Sequence, residues 1–396
     1  MVYFTTFYVN VKHFFAFFCK KIRPVFDIFW PYFYVLCYNL AMFIKINKMI
    51  LLSLIIVILF SCSNNTNSSL NNSSNEPSKT NESTAEIANN NTNNKTLVID
   101  KDYGKGSKDI VIFSTNDTLA SFNDNLSVAS IKYYYDHFDK EENFTTFVDT
   151  GNFSVGSIEA EKSKGKVSIE IMNAVGYDIV VPGSYEFNYG IDTFYENMNM
   201  LKSNVICCNI YDINKKTFPF LPYVIYKYDD LKIAFVGVTS PEALLLKDNY
   251  EKFFDENGEQ LIYFFEDETG EALYRQVQTA VDTAKEEGAD KVILLSHLGI
   301  EGITERWTTT RVIANTKDID AVIDGHSMEV LDSGLMVNKV GAFIPLVQAG
   351  SNYKYVGAIN ITKEDYIYPA IMRERSINKK DEQFQKIVDE IIDKYK

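Results

Sequence analysis

Pro182-Gly183-Ser184-Tyr185-Glu186-Phe187-Asn188-Tyr189-Gly190 follows at once on the apolar run Ile179 to Val181, a short strand that delivers the chain into a polar and aromatic loop. Four other segments have the same form. They are Ser114-Thr115-Asn116-Asp117-Thr118-Leu119-Ala120, Asp149-Thr150-Gly151-Asn152-Phe153-Ser154-Val155-Gly156-Ser157, Leu295-Ser296-His297-Leu298-Gly299 and Asp324-Gly325-His326-Ser327-Met328. Each sits just after a β-rich run, where loops at the carboxyl edge of a sheet build sites in α/β proteins.

Working outward, β-rich runs alternate with helical patterns from about residue 96 onward, which specifies a layered α/β fold. Strands are expected at Asp109 to Thr115, Phe144 to Asp149, Ile179 to Val181, Leu231 to Val238, Val292 to Ser296 and Ala321 to Asp324. Leu346 to Ala349 and Val356 to Ile361 read as a final strand pair. Helices are expected at Leu126 to Phe138, Val167 to Val175, Ile191 to Lys202 and Leu273 to Glu287. The stretch 376–396 reads as a C-terminal helix whose apolar face is Phe384, Ile387, Val388, Ile391 and Ile392. Adjacent Cys207 and Cys208 read as packed thiols in a strand from Asn204 to Ile210, and His137 as a surface or boundary residue.

In order and spacing the five segments resemble the calcineurin-like metallophosphatase domain of the bacterial 5'-nucleotidase family. The family forms are roughly Thr-Asn-Asp-X-His-Gly, Gly-Asp-X-X-X-Gly-Ser, Gly-Asn-His-Glu-Phe-Asp-Tyr-Gly, Ser-His-Leu-Gly and Gly-His-Ser-His. Val236 to Glu242 and Val347 to Gly350 match the family's intervening segments. The resemblance implies a four-layer α/β/β/α metallophosphatase sandwich over 96–375. It also implies two divalent ions about 3.5 to 4 Å apart that share a bridging carboxylate and an attacking water. The family's second, nucleotide-binding domain has no counterpart in the stretch that follows.

Carried over one at a time, the implied ligands give a damaged site. Asp117 is kept, but Leu119 stands where the family has His, and Asn152 stands where it has the bridging carboxylate. Ser184 replaces the ligand Asn, Tyr185 the catalytic His, and Asn188 the Asp that orients it. His297 and His326 are intact, whereas Met328 replaces the last His. One ion position thus keeps a single carboxylate, while the other keeps two imidazoles. That leaves at most one weakly held zinc or manganese ion, with His297, His326, Asn152 and Asp117 as its residual ligands. Ser184, Tyr185 and Glu186 are the expected ligand-pocket residues, with Phe153 a further candidate for its lining. The expectation is a catalytically degenerate relative that binds a small phosphorylated ligand or an envelope protein. The alternative is a hydrolase with one ion and Asp117 or Glu186 as base.

The 396-residue chain carries a formal charge of -14 and no sustained Lys/Arg stripe, which excludes a nucleic-acid groove. Residues 42–61 resemble a bacterial lipoprotein signal: Lys45 and Lys48 open it, Met49 to Phe60 is apolar, and Ser61-Cys62 ends it. Cys62 is then the lipidation site, and the protein is anchored in the cell envelope outside the cytoplasmic membrane. Residues 1–41 read as an extension upstream of the true start, at Met42 or else Met49. The Asn/Ser/Thr-rich stretch 62–95 reads as a disordered tether, because it has too few apolar residues to offset its ordering entropy.

Overall fold

Strands apolar on both faces dominate the chain, and period-two alternation assigns each face to a different layer. Along Asp109–Thr115, Ile110 and Ile112 enter one buried cluster and Val111 and Phe113 another. Along Lys291–His297, Ile293 and Leu295 join the first of these, while Val292 and Leu294 join a third. Such strands belong at the centre of a layered fold.

The computed structural model describes residues 98–100, 108–138, 143–246, 250–373 and 379–396, all within the unit Thr80–Lys396. Residues 1–41, the signal at 42–61, Cys62 and the tether at 62–95 lie outside the described residues. In chain order the strands are β1 (Val98–Asp100), β2 (Asp109–Thr115), β3 (Asn143–Asp149), β4 (Ile179–Val180), β5 (Asn204–Val205), β6 (Ile210–Asp212), β7 (Tyr223–Tyr228) and β8 (Leu231–Thr239). They continue with β9 (Ile262–Phe264), β10 (Lys291–His297), β11 (Ala321–Ile323), β12 (Val330–Val337), β13 (Phe343–Ala349), β14 (Val356–Ile361) and β15 (Ile367–Met372). The helices are α1 (Val128–His137), α2 (Ile158–Ser163), α3 (Lys166–Val175), α4 (Ile191–Met200), α5 (Glu271–Glu286), α6 (Thr309–Asn315) and α7 (Glu382–Asp393).

One sheet has the order β1-β7-β8-β10-β11-β13-β12 and the other β15-β14-β2-β3-β4-β5. They face each other across a core built from both, including Ile112, Val148 and Ile359 on one side and Phe235, Leu295 and Val347 on the other. Outside the second sheet, Val111 and Phe147 pack with α1, α3, α4 and α7. Outside the first, Val236 and Leu294 pack with α5 and α6. Three apolar layers between four layers of structure make an α/β/β/α sandwich.

The expected final strand pair is corrected here. β13 pairs with β11 and β12 in one sheet, whereas β14 pairs with β2 and β15 in the other. The chain crosses from sheet to sheet at Gly350 to Tyr355. Cys207 and Cys208 fall between β5 and β6 rather than within one strand, and both are buried free thiols. Burial pushes the Cys207 thiol up to about 12. On α7, Phe384, Val388 and Ile391 are buried, but Ile387 is 45% exposed. Among the described residues no helix is long and apolar enough to cross a membrane.

The parallel runs β2-β3-β4 and β8-β10-β11-β13 end at the same edge of the sandwich. Their carboxyl-end loops carry all five sequence segments.

Candidate functional site

The five loops lock onto one another through backbone that side chains rarely adopt. Asp117, Leu119, Asn152, His326 and Met328 all have φ between 47° and 74°, a left-handed conformation that costs non-glycine residues energy and clusters at functional sites. Close approach fixes the glycines beside them. A Cβ on Gly151 would lie 2.5 Å from the Gly183 nitrogen, and one on Gly183 would lie 2.5 Å from the Asn152 nitrogen. Asp117 N–H donates to Gly151 O at 2.8 Å and Leu119 N–H to Asn152 O at 3.0 Å, joining the loops after β2 and β3.

Asp117 and Asn152 meet at the centre, 0% and 1% exposed. Asn152 Nδ2 donates to Asp117 Oδ1 at 2.8 Å, and Asn152 Oδ1 accepts the Tyr185 N–H at 2.9 Å. The other Asp117 oxygen accepts Asn116 Nδ2 at 2.9 Å and the His326 N–H at 2.8 Å. Burial pushes the Asp117 carboxyl up to about 6, against the opposing pull of these donors. Loops after β2, β3, β4 and β11 are thereby tied by one carboxylate and one amide.

Glu186 is placed inside the loops. Its Oε2 accepts Asn152 and Gly183 N–H groups at 2.9 and 2.5 Å, and its Oε1 accepts Phe153 N–H, Ser154 N–H and Ser154 Oγ at 2.9 to 3.1 Å. Burial raises its pKa despite these bonds. Five donors leave it clasping two loops together, with no oxygen turned toward a ligand or a reacting water. Phe153 likewise is 1% exposed and lies in the apolar core.

His297 is fully buried, and its Nδ1 pairs with the Thr150 carbonyl, so Nδ1 carries the proton. Its Nε2 lone pair has no protein partner. Burial first, and the nearby His326 second, hold His297 well below the usual range, keeping it neutral. The two imidazoles stand edge to face with centroids 5.2 Å apart. His326 Nε2 lies 3.0 Å from Glu242 Oε2 and its Nδ1 3.4 Å from Ser184 Oγ. Glu242 is in turn held by the Thr304 N–H at 2.6 Å. Burial works against the Glu242 charge, but the His326 and Thr304 bonds carry its pKa below the ordinary value.

Glu242 is the site residue that motif reading passed over. It lies in the segment Val236 to Glu242, at the end of a buried strand like the five loop segments, but its 84-residue separation from His326 hid the pairing. Tyr185, half-buried, stays beside this cluster through its backbone bond to Asn152. The donor set does not fit a two-ion centre. Both Asp117 oxygens are taken, Leu119 offers no lone pair, and no group of three or more His, Cys, Asp or Glu side chains among the described residues is placed to hold an ion. Among the described residues His297 Nε2 is left over, with a carbonyl-oriented ring in the arrangement of an imidazole ligand, and so is the buried Asp324 Oδ2.

No protein-family model matches the chain. It is 27% identical over 243 residues to bovine 5'-nucleotidase, covering 56% of this chain and 38% of that protein. It is 21% identical over 293 residues to the trifunctional nucleotide phosphoesterase protein YfkN of Bacillus subtilis, covering 66% of this chain and 18% of that protein. The crystal structure of the calcineurin-like phosphoesterase YfkN from Bacillus subtilis superposes with a TM-score of 0.59 at 20% identity, covering 73% of this chain and 98% of that one. This chain has the 5'-nucleotidase-like, calcineurin-like phosphoesterase fold. A 5'-nucleotidase precursor from Thermus thermophilus agrees, with a TM-score of 0.56 at 18% identity over 72% of this chain and 58% of that one. The phosphoesterase-fold chain spans 38% and 18% of the length of the two curated relatives.

Proposed function

We propose that this is an envelope lipoprotein, anchored through a lipid on Cys62, whose phosphoesterase fold binds a small phosphorylated ligand or an envelope partner and no longer hydrolyses phosphoesters. The observation that carries the reading is the direct Asn152–Asp117 hydrogen bond, where a metal-bridging carboxylate would face its ligand. Tyr185 in place of a catalytic imidazole supports it further, since a half-buried phenol supplies no cation to a developing charge. Tyr185 and His326, both half-buried and backed by the buried Ser184 and Glu242, then form the polar side of a binding site at the sheet edge. The unpartnered His297 Nε2 supports the competing reading, a hydrolase with one residual ion.

The test is metal content and phosphate release on the chain beginning at Cys62. After dialysis against zinc and manganese, less than about a tenth of an ion per chain is expected, with no phosphate released from nucleotides. Release that disappears in a His297→Ala, His326→Ala double variant would overturn the reading. A melting shift with nucleotides or inorganic phosphate is the expected sign of ligand binding.

A further inference from the structure

We infer that Asn152 is a built-in replacement for a bridging cation: its side-chain amide does the mechanical work of closing the loop cluster, which therefore assembles without metal. The inference deepens the function proposed above and rests on its premise that the site is not a two-ion centre.

An amide can do this because it offers a donor and an acceptor at fixed separation, and Asn152 uses both. Its nitrogen donates to Asp117 at 2.8 Å, and its oxygen accepts the Tyr185 N–H at 2.9 Å. The arrangement leaves Asn152 and Asp117 both satisfied although neither reaches solvent, as buried polar groups require. A carboxylate at 152 would keep the Tyr185 bond, because that bond needs only an acceptor. Its second oxygen would instead face Asp117 Oδ1 across the same short distance. Two buried carboxylates that close cannot both be charged; they share a proton or hold a cation. His297 stands beside the same loop, with its carbonyl-bonded Nδ1 toward Gly151, and its Nε2 is unpartnered. One NH2-to-oxygen exchange, with almost no change of shape, therefore separates a self-closing cluster from a cation-dependent one.

Thermal unfolding of the full chain, with EDTA or with manganese chloride and at about pH 5 and 7.5, tests this. The wild type is expected to melt at the same temperature with EDTA and with manganese at each pH. Asn152→Asp is expected to melt lower at about pH 7.5 in EDTA, by on the order of 5 °C. It should recover when manganese is added or when the pH is lowered so that the pair shares a proton. The exchanged pair, Asp117→Asn with Asn152→Asp, again sets one amide against one carboxylate. It should regain the wild-type midpoint without metal, which keeps the idea testable if Asn152→Asp alone does not fold. A wild-type midpoint raised by manganese and lowered by EDTA would overturn the metal-free premise and with it the proposed function. An Asn152→Asp protein that melts like the wild type and ignores manganese would overturn the clamp alone, as would failure of the exchanged pair to restore stability.

Discussion

Asp117 and Asp324 are carboxyls that burial holds up to about 6, and burial also raises Asp149 and Glu186. A folded pKa above the unfolded value means that the folded state binds the proton more tightly. The stability so gained is complete below the unfolded pKa of about 4 and is lost as pH rises through about 6. His297, held low, works the opposite way below about 6.5, against the four carboxyls that burial raises. The melting temperature is therefore expected to rise between about pH 7.5 and 5. Asp324→Asn should flatten that slope by at most about 1.4 kcal/mol per pH unit, measured by urea unfolding across the range. Glu186→Ala removes the acceptor of five donors at once, four of them backbone N–H groups. It should cost roughly 3 kcal/mol or more in the same measurement, because buried donors are left unpaired.

Elements were legible where both local pattern and capping chemistry pointed the same way. The helix expected at Leu126 to Phe138 begins after Ser127, whose Oγ accepts the Ser130 N–H at 3.2 Å and fixes the start of α1. The C-terminal helix is capped by Asp381, whose carboxylate accepts both the Gln383 and Phe384 N–H groups at 2.9 Å. Asp381→Ala should cost about 1 kcal/mol in chemical denaturation. Ile387→Glu, on the exposed side of the same helix, should change stability by under about 0.5 kcal/mol. Reading from periodicity grouped Ile387 with Phe384 and Val388, since spacing along the helix does not say how wide a stripe the neighbouring helices cover. β12 escaped notice because its exposed edge mixes Asp332, Ser333 and Gly334 with apolar residues, and pairing with β13 alone makes it a strand.

At the scale of the whole molecule, the sandwich depends on the apolar layer between its two sheets. Phe235 lies in that layer, 0% exposed, with the Tyr226 ring set edge-on at 5.4 Å. Phe235→Ala should cost about 4 kcal/mol, read from the shift of the urea midpoint, because neighbours from two sheets cannot both collapse into the space. The runs from Asp109, Phe144, Leu231 and Val292 announce themselves in sequence as strands, and the five polar loops announce where such strands end. Those are local properties of composition and order. Which sheet each strand joins is not local: β13 and β14 are separated by six residues yet lie in different sheets. That Leu119, Asn152, Tyr185 and Met328 stand where the resemblance leads one to expect ligands or a catalytic imidazole is likewise an expectation of sequence. That Asn152 reaches Asp117, that four donors of the loop after β3 occupy Glu186, and that Glu242 pairs with His326 follow only from loops brought together across 32 to 84 residues of chain. A hydrogen bond is decided by ångström-scale distance and direction, and only the packed sandwich sets those.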